Sequence, residues 1–271
     1  MATRRDFDSA RAQNGGHDVS LIRVKLNNIY DDAFFEGQET ESLRSARSVV
    51  RHVMTLFTPS SVVDVGCGRG AWLSVFSEAG VRTLCGIDGS YVDRSKLRIS
   101  PDSFISRDLM KPFDIPERFD LAMSVEVAEH LSEANGKNLI RALTRAAPIV
   151  LFSAAIPGQG GSGHINEQWP SYWRSLFADE GYLMFDPLRP LIHYDSSVRW
   201  WYRQNLVVFA SAEAIASHRS LGPEIPPGDE LQWVHISIAR PRRDLRGILR
   251  ELPGTMAVWS RVKPLVRSYC K

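Results

Sequence analysis

Residues 61–72 read Ser-Val-Val-Asp-Val-Gly-Cys-Gly-Arg-Gly-Ala-Trp. A β-branched apolar run, Val62, Val63 and Val65, encloses one acid, Asp64, and gives way to glycines at alternate positions, Gly66, Gly68 and Gly70. A helical pattern begins at Ala71. A buried strand, a glycine turn and a helix start, in that order, predict the first βα unit of a nucleotide-type α/β fold. Glycine lacks a Cβ, so the turn tolerates strained dihedrals and close approach of a ligand, and the following helix aims its first N–H groups there. The spacing G-x-G-x-G is one residue short of the dinucleotide fingerprint, and no G-K-[ST] follows, so neither a nicotinamide site nor a P-loop is indicated.

The surrounding chain agrees with a parallel sheet. The segment 81–88 reads as a second strand ending in Asp88, about 20 residues past the turn, where such folds place the carboxylate that accepts the hydroxyls of an adenosine ribose. Helix N-capping is the alternative for Asp88. Gly89 beside it predicts space for the edge of a ligand. Short strands are expected at 103–106, 119–125, 148–154, 182–187 and 206–210, with helices at 42–57, 71–79, 134–146 and from Trp169 to about Glu180. Pro59 stops the helix at 42–57. That helix and the aromatic stretch before it, with Tyr30, are expected either as a lid over the cofactor mouth or as ordinary packing.

Directly after the fourth strand comes Glu126-Val127-Ala128-Glu129-His130. The carboxyl end of a parallel strand is where α/β enzymes keep their chemistry. On a helical turn, residues three or four apart share a face, which would bring Glu126, Glu129 and His130 together. The fifth strand leads into a tract with Gly158, Gly160, Gly161 and Gly163, expected as a mobile lid. His164, Asn166, Glu167 and Gln168 follow, then Trp169, Tyr172 and Trp173. Polar groups among aromatics suggest a substrate pocket formed by Asn166, Gln168, Trp169, Tyr172 and Tyr30, with a capped helix over core aromatics as the alternative.

Composition sets the outer bounds. Of 271 residues, 44% are hydrophobic and 24% charged, ordinary values for a globular chain with an ample core. A net charge of +2 gives no global argument for nucleic acid. Cys67, Cys85 and Cys270 are odd in number, and the first two fall in core elements, which suits a reducing cytoplasm. The N-terminus has no apolar signal region and no run reaches membrane-spanning length. Residues 1–19 are expected to be disordered, 20–210 to form the catalytic domain, and 211–271 an extension with a linker at 223–228. From residue 239 on, nine basic residues face two acidic ones, about +7, interleaved with Trp259, Val262, Leu265 and Tyr269. The tail is expected as a solvated face, with weak contact to an anionic membrane surface or a partner as the sharper alternative.

Taken together, VVDVGCGRG, GID, RDL and FDLAMSVEVAEHL resemble the ordered motifs of class I S-adenosylmethionine (SAM)-dependent methyltransferases, over about residues 25–210. The resemblance implies a Rossmann-like, doubly wound, seven-stranded sheet with the seventh strand antiparallel. It implies SAM as cofactor, held by Asp64, Gly66, Gly68, Gly70, Asp88 and Gly89. Asp108 would bond the adenine amine, Leu109 would pack on the ring, and Glu126 would lie near the cofactor. The HINEQWPSYW tract resembles a bacterial subgroup found with small-molecule and glycan biosynthesis. The reaction implied is O-methylation of a small-molecule acceptor such as a sugar or polyketide, with His130 or His164 as base. N-methylation and non-catalytic SAM binding are the alternatives. An Asn/Asp-Pro-Pro-aromatic tetrad is missing after the fourth strand, which disfavours amino groups of nucleic-acid bases. Glu126, Glu129, His130 and His164 also resemble the Mg-type site of RNA 3′-terminal 2′-O-methyltransferases and ubiquinone-pathway O-methyltransferases. The competing expectation is a metal-free site with Glu129 solvated.

Overall fold

A computed structural model describes residues 32–229, with side chains from residue 40 onward. Tyr30, the segment 1–19 and the basic tail lie outside the described residues. Seven strands alternate with helices: α1 (Asp32–Phe57), β1 (Ser61–Val65), α2 (Ala71–Glu78), β2 (Thr83–Asp88), β3 (Phe104–Ser106), β4 (Leu121–Val125), α3 (Glu133–Ala146), β5 (Ile149–Ser153), α4 (Pro170–Asp179), β6 (Tyr182–Phe185), α5 (Arg189–Ile192), α6 (Trp200–Asn205), β7 (Val207–Ser211) and α7 (Ala212–Ser217). They form one sheet in the order β3-β2-β1-β4-β5-β7-β6. The pairs around β1 and β4 are parallel, and β7 runs antiparallel to both β5 and β6. The doubly wound, seven-stranded architecture expected from the motifs is present.

Helices cover both faces because the strands are apolar on both sides. Val62, Leu121, Met123 and Leu151 face α1 and α2; Val63, Val65, Ala122, Val150 and Phe152 face α3 and α4. Helix α1 buries Ala46, Val49, Val50, Val53 and Phe57, a stripe at helical spacing. It begins ten residues before the expected start at 42, because Gly37 and the polar run to Glu41 interrupt the apolar period that marks the rest. β1 matches the sequence reading, the ends of β2 to β6 are trimmed by one or two residues, and β7 is shifted by one. Ser132 caps α3 through its side chain, accepting from the Asn135 N–H.

The packed unit runs past residue 210, where the sequence reading ends it. Ala214, Leu221 and Ile225 are buried. The stretch read as a linker lies along β6, the sheet edge: Glu224 bridges to Phe185, and the Ile225 N–H donates to the Met184 carbonyl at 2.9 Å. Glu224 also pairs with Arg174 of α4 at 2.7 Å. Prolines 223, 226 and 227 suit a segment that covers an edge without continuing the ladder.

Because β1 pairs with both β2 and β4, the chain reverses direction in the sheet between β1 and β4. The glycine turn and the Glu126–His130 stretch therefore leave neighbouring strands at the same end. That is the crevice where open α/β sheets bind ligands.

Candidate functional site

The glycine turn depends on its missing Cβ atoms. Gly66, Gly68 and Gly70 have φ of +85°, +54° and +81°. A Cβ on Gly66 would stand 2.3 Å from Cγ2 of Val127, so the turn rests directly against the Glu126–His130 stretch. Helix α2 then starts with no side-chain cap.

Asp88 ties this turn to β2. Its carboxylate is 3% exposed and accepts the Gly68 N–H at 2.6 Å on one oxygen. The other oxygen accepts the Gly89 N–H at 2.6 Å and the Tyr91 hydroxyl. Burial pushes its pKa up against the pull of these three donors. Asp64 is also buried, and desolvation followed by the Asp88 charge holds its carboxyl well above the usual range. Gly89, expected to admit a ligand edge, instead seats the Tyr91 ring: a Cβ there would lie 2.2 Å from Tyr91 Cε1. Asp108 is exposed at the loop after β3, accepting the Met110 N–H at 3.1 Å and pairing with Lys111 at 3.3 Å. Leu109, expected against an adenine ring, is buried at the margin of the core beneath α3 and α4.

At the end of β4, Glu126 has φ +58°, a conformation that side chains rarely adopt. The Ser153 carbonyl accepts its N–H at 3.0 Å, and its carboxylate accepts from Gln159 Nε2 at 3.0 Å and Asn205 Nδ2 at 3.2 Å. The chain then makes a single 3-10 turn over Ala128–His130 in place of the expected α-helical turn. Glu126 and Glu129 stay close enough for their carboxylates to act on each other, but not all four residues share one ligand set. One ligand atom each from Glu129, His130 and His164 lies within 4.8 Å of the others; Glu126 stays outside the group, held by the two amides.

Glu129 is 0% exposed, so the expectation of a solvated side chain is corrected. Its carbonyl accepts the N–H groups of Ile165 and Asn166 at 2.9 and 3.0 Å, fastening the HIN tract behind the turn. Its carboxylate lies near the Ala155 amide and Glu126, yet neither oxygen makes a hydrogen bond of ordinary geometry. Burial first, then the Glu126 charge, hold it well above the usual carboxylate range. His130 and His164 meet edge to face, with ring centroids 4.8 Å apart. His130 Nδ1 lies 3.3 Å from the Gly163 carbonyl, and His164 Nδ1 lies 2.9 Å from Glu167 Oε1. Burial, reinforced by His164, lowers the His130 pKa to about 4.

The glycine tract expected as a mobile lid is fastened: Glu167 accepts the Gly158 and Gly160 N–H groups at 2.8 Å each. Asn166, expected to line a substrate pocket, is buried, whereas Gln168 is half-exposed beside it. Asn166 is 5% exposed, accepts from Gln168 Nε2 at 3.0 Å, and faces Gly136 and Trp173 behind the site. The Tyr172 ring meets Trp173 at 5.0 Å and its hydroxyl is buried without a hydrogen-bond partner. Trp169 is half-buried at the start of α4. The sequence reading passed over Gln159, Asn205 and Tyr91. The first two reach Glu126 from 33 and 79 residues away, with no local signal.

A family model described as a methyltransferase domain matches residues 38–217. The chain belongs to the methyltransferase-domain family. The resemblance to class I SAM-dependent methyltransferases holds at the level of family and fold. Among curated relatives, the methyltransferase is similar to a ubiquinone biosynthesis O-methyltransferase of Nitrobacter winogradskyi, 25% identical over 131 residues, 46% of each chain. It is also similar to one of Rhodopseudomonas palustris, 26% identical over 124 residues, 44% of this chain and 45% of that one. The chain thus spans about half the length of these relatives. Among solved structures, its fold is that of magnesium protoporphyrin IX methyltransferase from Synechocystis PCC 6803 with bound SAH, at TM-score 0.52 and 16% identity over 72% of this chain and 100% of that one. Among the described residues, no helix is long and apolar enough to cross a membrane.

Proposed function

We propose that this methyltransferase transfers the methyl group of SAM to a hydroxyl of a small-molecule acceptor, with the sugars, polyketides and related natural products as the acceptor class. The single observation that carries the reading is the group at the β4 end: a fully buried carboxylate, without a hydrogen bond of ordinary geometry, beside two imidazoles and one strand away from the glycine turn. The O-methyltransferase relatives support the choice of oxygen. In this reading Asp88 accepts the ribose hydroxyls. The uncapped first turn of α2 offers N–H groups to the carboxylate end of the cofactor. Asp64, Gly66, Gly68 and Gly70 complete that half.

The acceptor proton needs a destination, and His130 by itself is a poor one. A ring held near 4 is far weaker as a base than even a phenolic hydroxyl of pKa about 10 requires, and a sugar hydroxyl is weaker still as an acid. The same neutral ring is a good ligand. Glu129, His130 and His164 fit a divalent cation: neither oxygen of the buried carboxylate is held by a hydrogen bond of ordinary geometry, and a mixed nitrogen and oxygen set suits manganese, iron or zinc better than the magnesium expected from the sequence. Such a cation supplies a Lewis acid that acidifies a bound hydroxyl. The protein's own groups keep bulk water from Glu129 and hold the His130 imidazole neutral. A metal-free site is the second reading, favoured by the His164–Glu167 pair, which orients an imidazole as a carboxylate orients a general base.

Calorimetry with SAM, SAH and NAD tests the cofactor: SAM and SAH bind, and binding of NAD alone would overturn the reading. Methyl transfer from radiolabelled SAM to a panel of hydroxylated acceptors, before and after exhaustive chelation, then separates the two chemistries. Activity unchanged by chelation removes the cation and leaves the histidine.

A further inference from the structure

Three donors converge on Glu167, a residue in neither half of the site. Oε1 accepts the Gly160 N–H at 2.8 Å and faces His164 Nδ1 at 2.9 Å; Oε2 accepts the Gly158 N–H at 2.8 Å. A carboxylate only accepts, so in the neutral ring Nδ1 of His164 carries the proton and Nε2 keeps the lone pair. The glycine loop leaves that nitrogen room. A Cβ on Gly161 would stand 2.3 Å from His164 Nε2. Three residues on from Gly160, the Gly163 carbonyl faces His130 Nδ1 at 3.3 Å, and a carbonyl also only accepts, so His130 is set the same way.

We propose that Glu167 is the positioning residue of this site: it fixes His164 as the Nδ1–H tautomer and fastens the 158–163 turn, whose Gly163 carbonyl does the same for His130. Both imidazoles then keep Nε2 as the nitrogen with the free lone pair, and one nitrogen of each ring lies within 4.8 Å of a Glu129 oxygen. The assignment rests on the reading of these two rings as working groups, and its test separates the two claims. A partner carboxylate on a ligating histidine fixes ring orientation, and its loss typically costs 10–100-fold in metal affinity.

The experiment is long-range 1H–15N correlation of the imidazoles in the full, chelator-treated chain at pH 8, with the His164 signals assigned by their loss in His164→Gln. Wild type should show the His164 proton on Nδ1. Glu167→Leu removes the acceptor and should release the proton to Nε2; Glu167→Gln, whose amide oxygen can take the place of Oε1 between the Gly160 N–H and Nδ1, should keep it on Nδ1. In parallel, Co2+ titration followed by its visible absorption should show about 10–100-fold weaker binding in Glu167→Leu, with SAH affinity unchanged within about twofold. A wild-type proton on Nε2, or an unaltered tautomer in Glu167→Leu, overturns the proposal. Failure of wild type to bind Co2+ removes the cation reading alone, because the tautomer result still decides the role of Glu167. Should Glu167→Leu not fold, the wild-type spectrum decides by itself.

Discussion

Gly66→Ala tests whether the two halves of the site share one mechanical contact. The new Cβ would stand 2.3 and 2.8 Å from the two γ-carbons of Val127, and the backbone there has φ +85°. Left-handed backbone costs an L-residue about 1–2 kcal/mol. Forcing a methyl into a filled space costs about 1–3 kcal/mol more. The single variant should lose about 2–5 kcal/mol, a large part of the 5–15 kcal/mol typical of a domain. Val127→Ala removes both obstructing carbons and alone should cost about 1–2 kcal/mol. If the contact is as described, the double variant recovers the steric share while the backbone share remains. It should therefore be more stable than additivity predicts by about 1–3 kcal/mol. Urea unfolding followed by tryptophan fluorescence measures all four corners of the cycle, and SAH calorimetry shows whether the turn regains its shape. A double variant additive within about 0.5 kcal/mol would refute the argument, since residues in contact must couple.

Three further outcomes follow from the same geometry. Asp88→Ala removes the acceptor of three donors and should weaken SAH by at least about 1.4 kcal/mol, tenfold, in calorimetry; an unchanged constant refutes the ribose role. Tyr91→Phe deletes the hydroxyl that occupies the same carboxylate oxygen as the Gly89 N–H, so SAH should bind several-fold more tightly with a faster on-rate in stopped flow; weaker binding would mean the phenol helps hold the cofactor. His130, held to about 4 by burial, titrates near 6.5 when unfolded. The stability this neutral ring contributes is complete above 6.5 and is lost as pH falls toward 4. That interval is about 3 kcal/mol at full burial, about 1–2 for a partly exposed ring. His130→Gln should remove that part of the acid slope in urea unfolding at pH 5 and 7.5.

Much of this was legible in the residues. The glycine turn, the acid closing β2 and the apolar strands announce themselves locally, since each follows from backbone sterics and burial within about ten residues. The grouping of Glu129 with His130 and His164 was also readable. The exclusion of Glu126 from the ligand set was not: its carboxylate is engaged by Gln159 and Asn205, which arrive from distant elements. The glycine tract misled for a related reason. Four glycines in six residues suggest freedom, but positive φ at Gly158, Gly160 and Gly163 shapes a turn that one carboxylate secures. Asn166 looked like a ligand-facing amide, yet its N–H is committed to Glu129 and its side chain points back toward Trp173.

The strip along the outermost strand has a practical outcome. Trimming the chain at Ser217, where the family match stops, would remove Leu221 and Ile225 from their seats and take Glu224 away from Arg174. The outer hem of the sheet would then offer bare amides and carbonyls to the next copy in solution. A shortened version cut for crystallisation should therefore clump during purification, whereas one ending after Asp229 keeps its selvedge sewn.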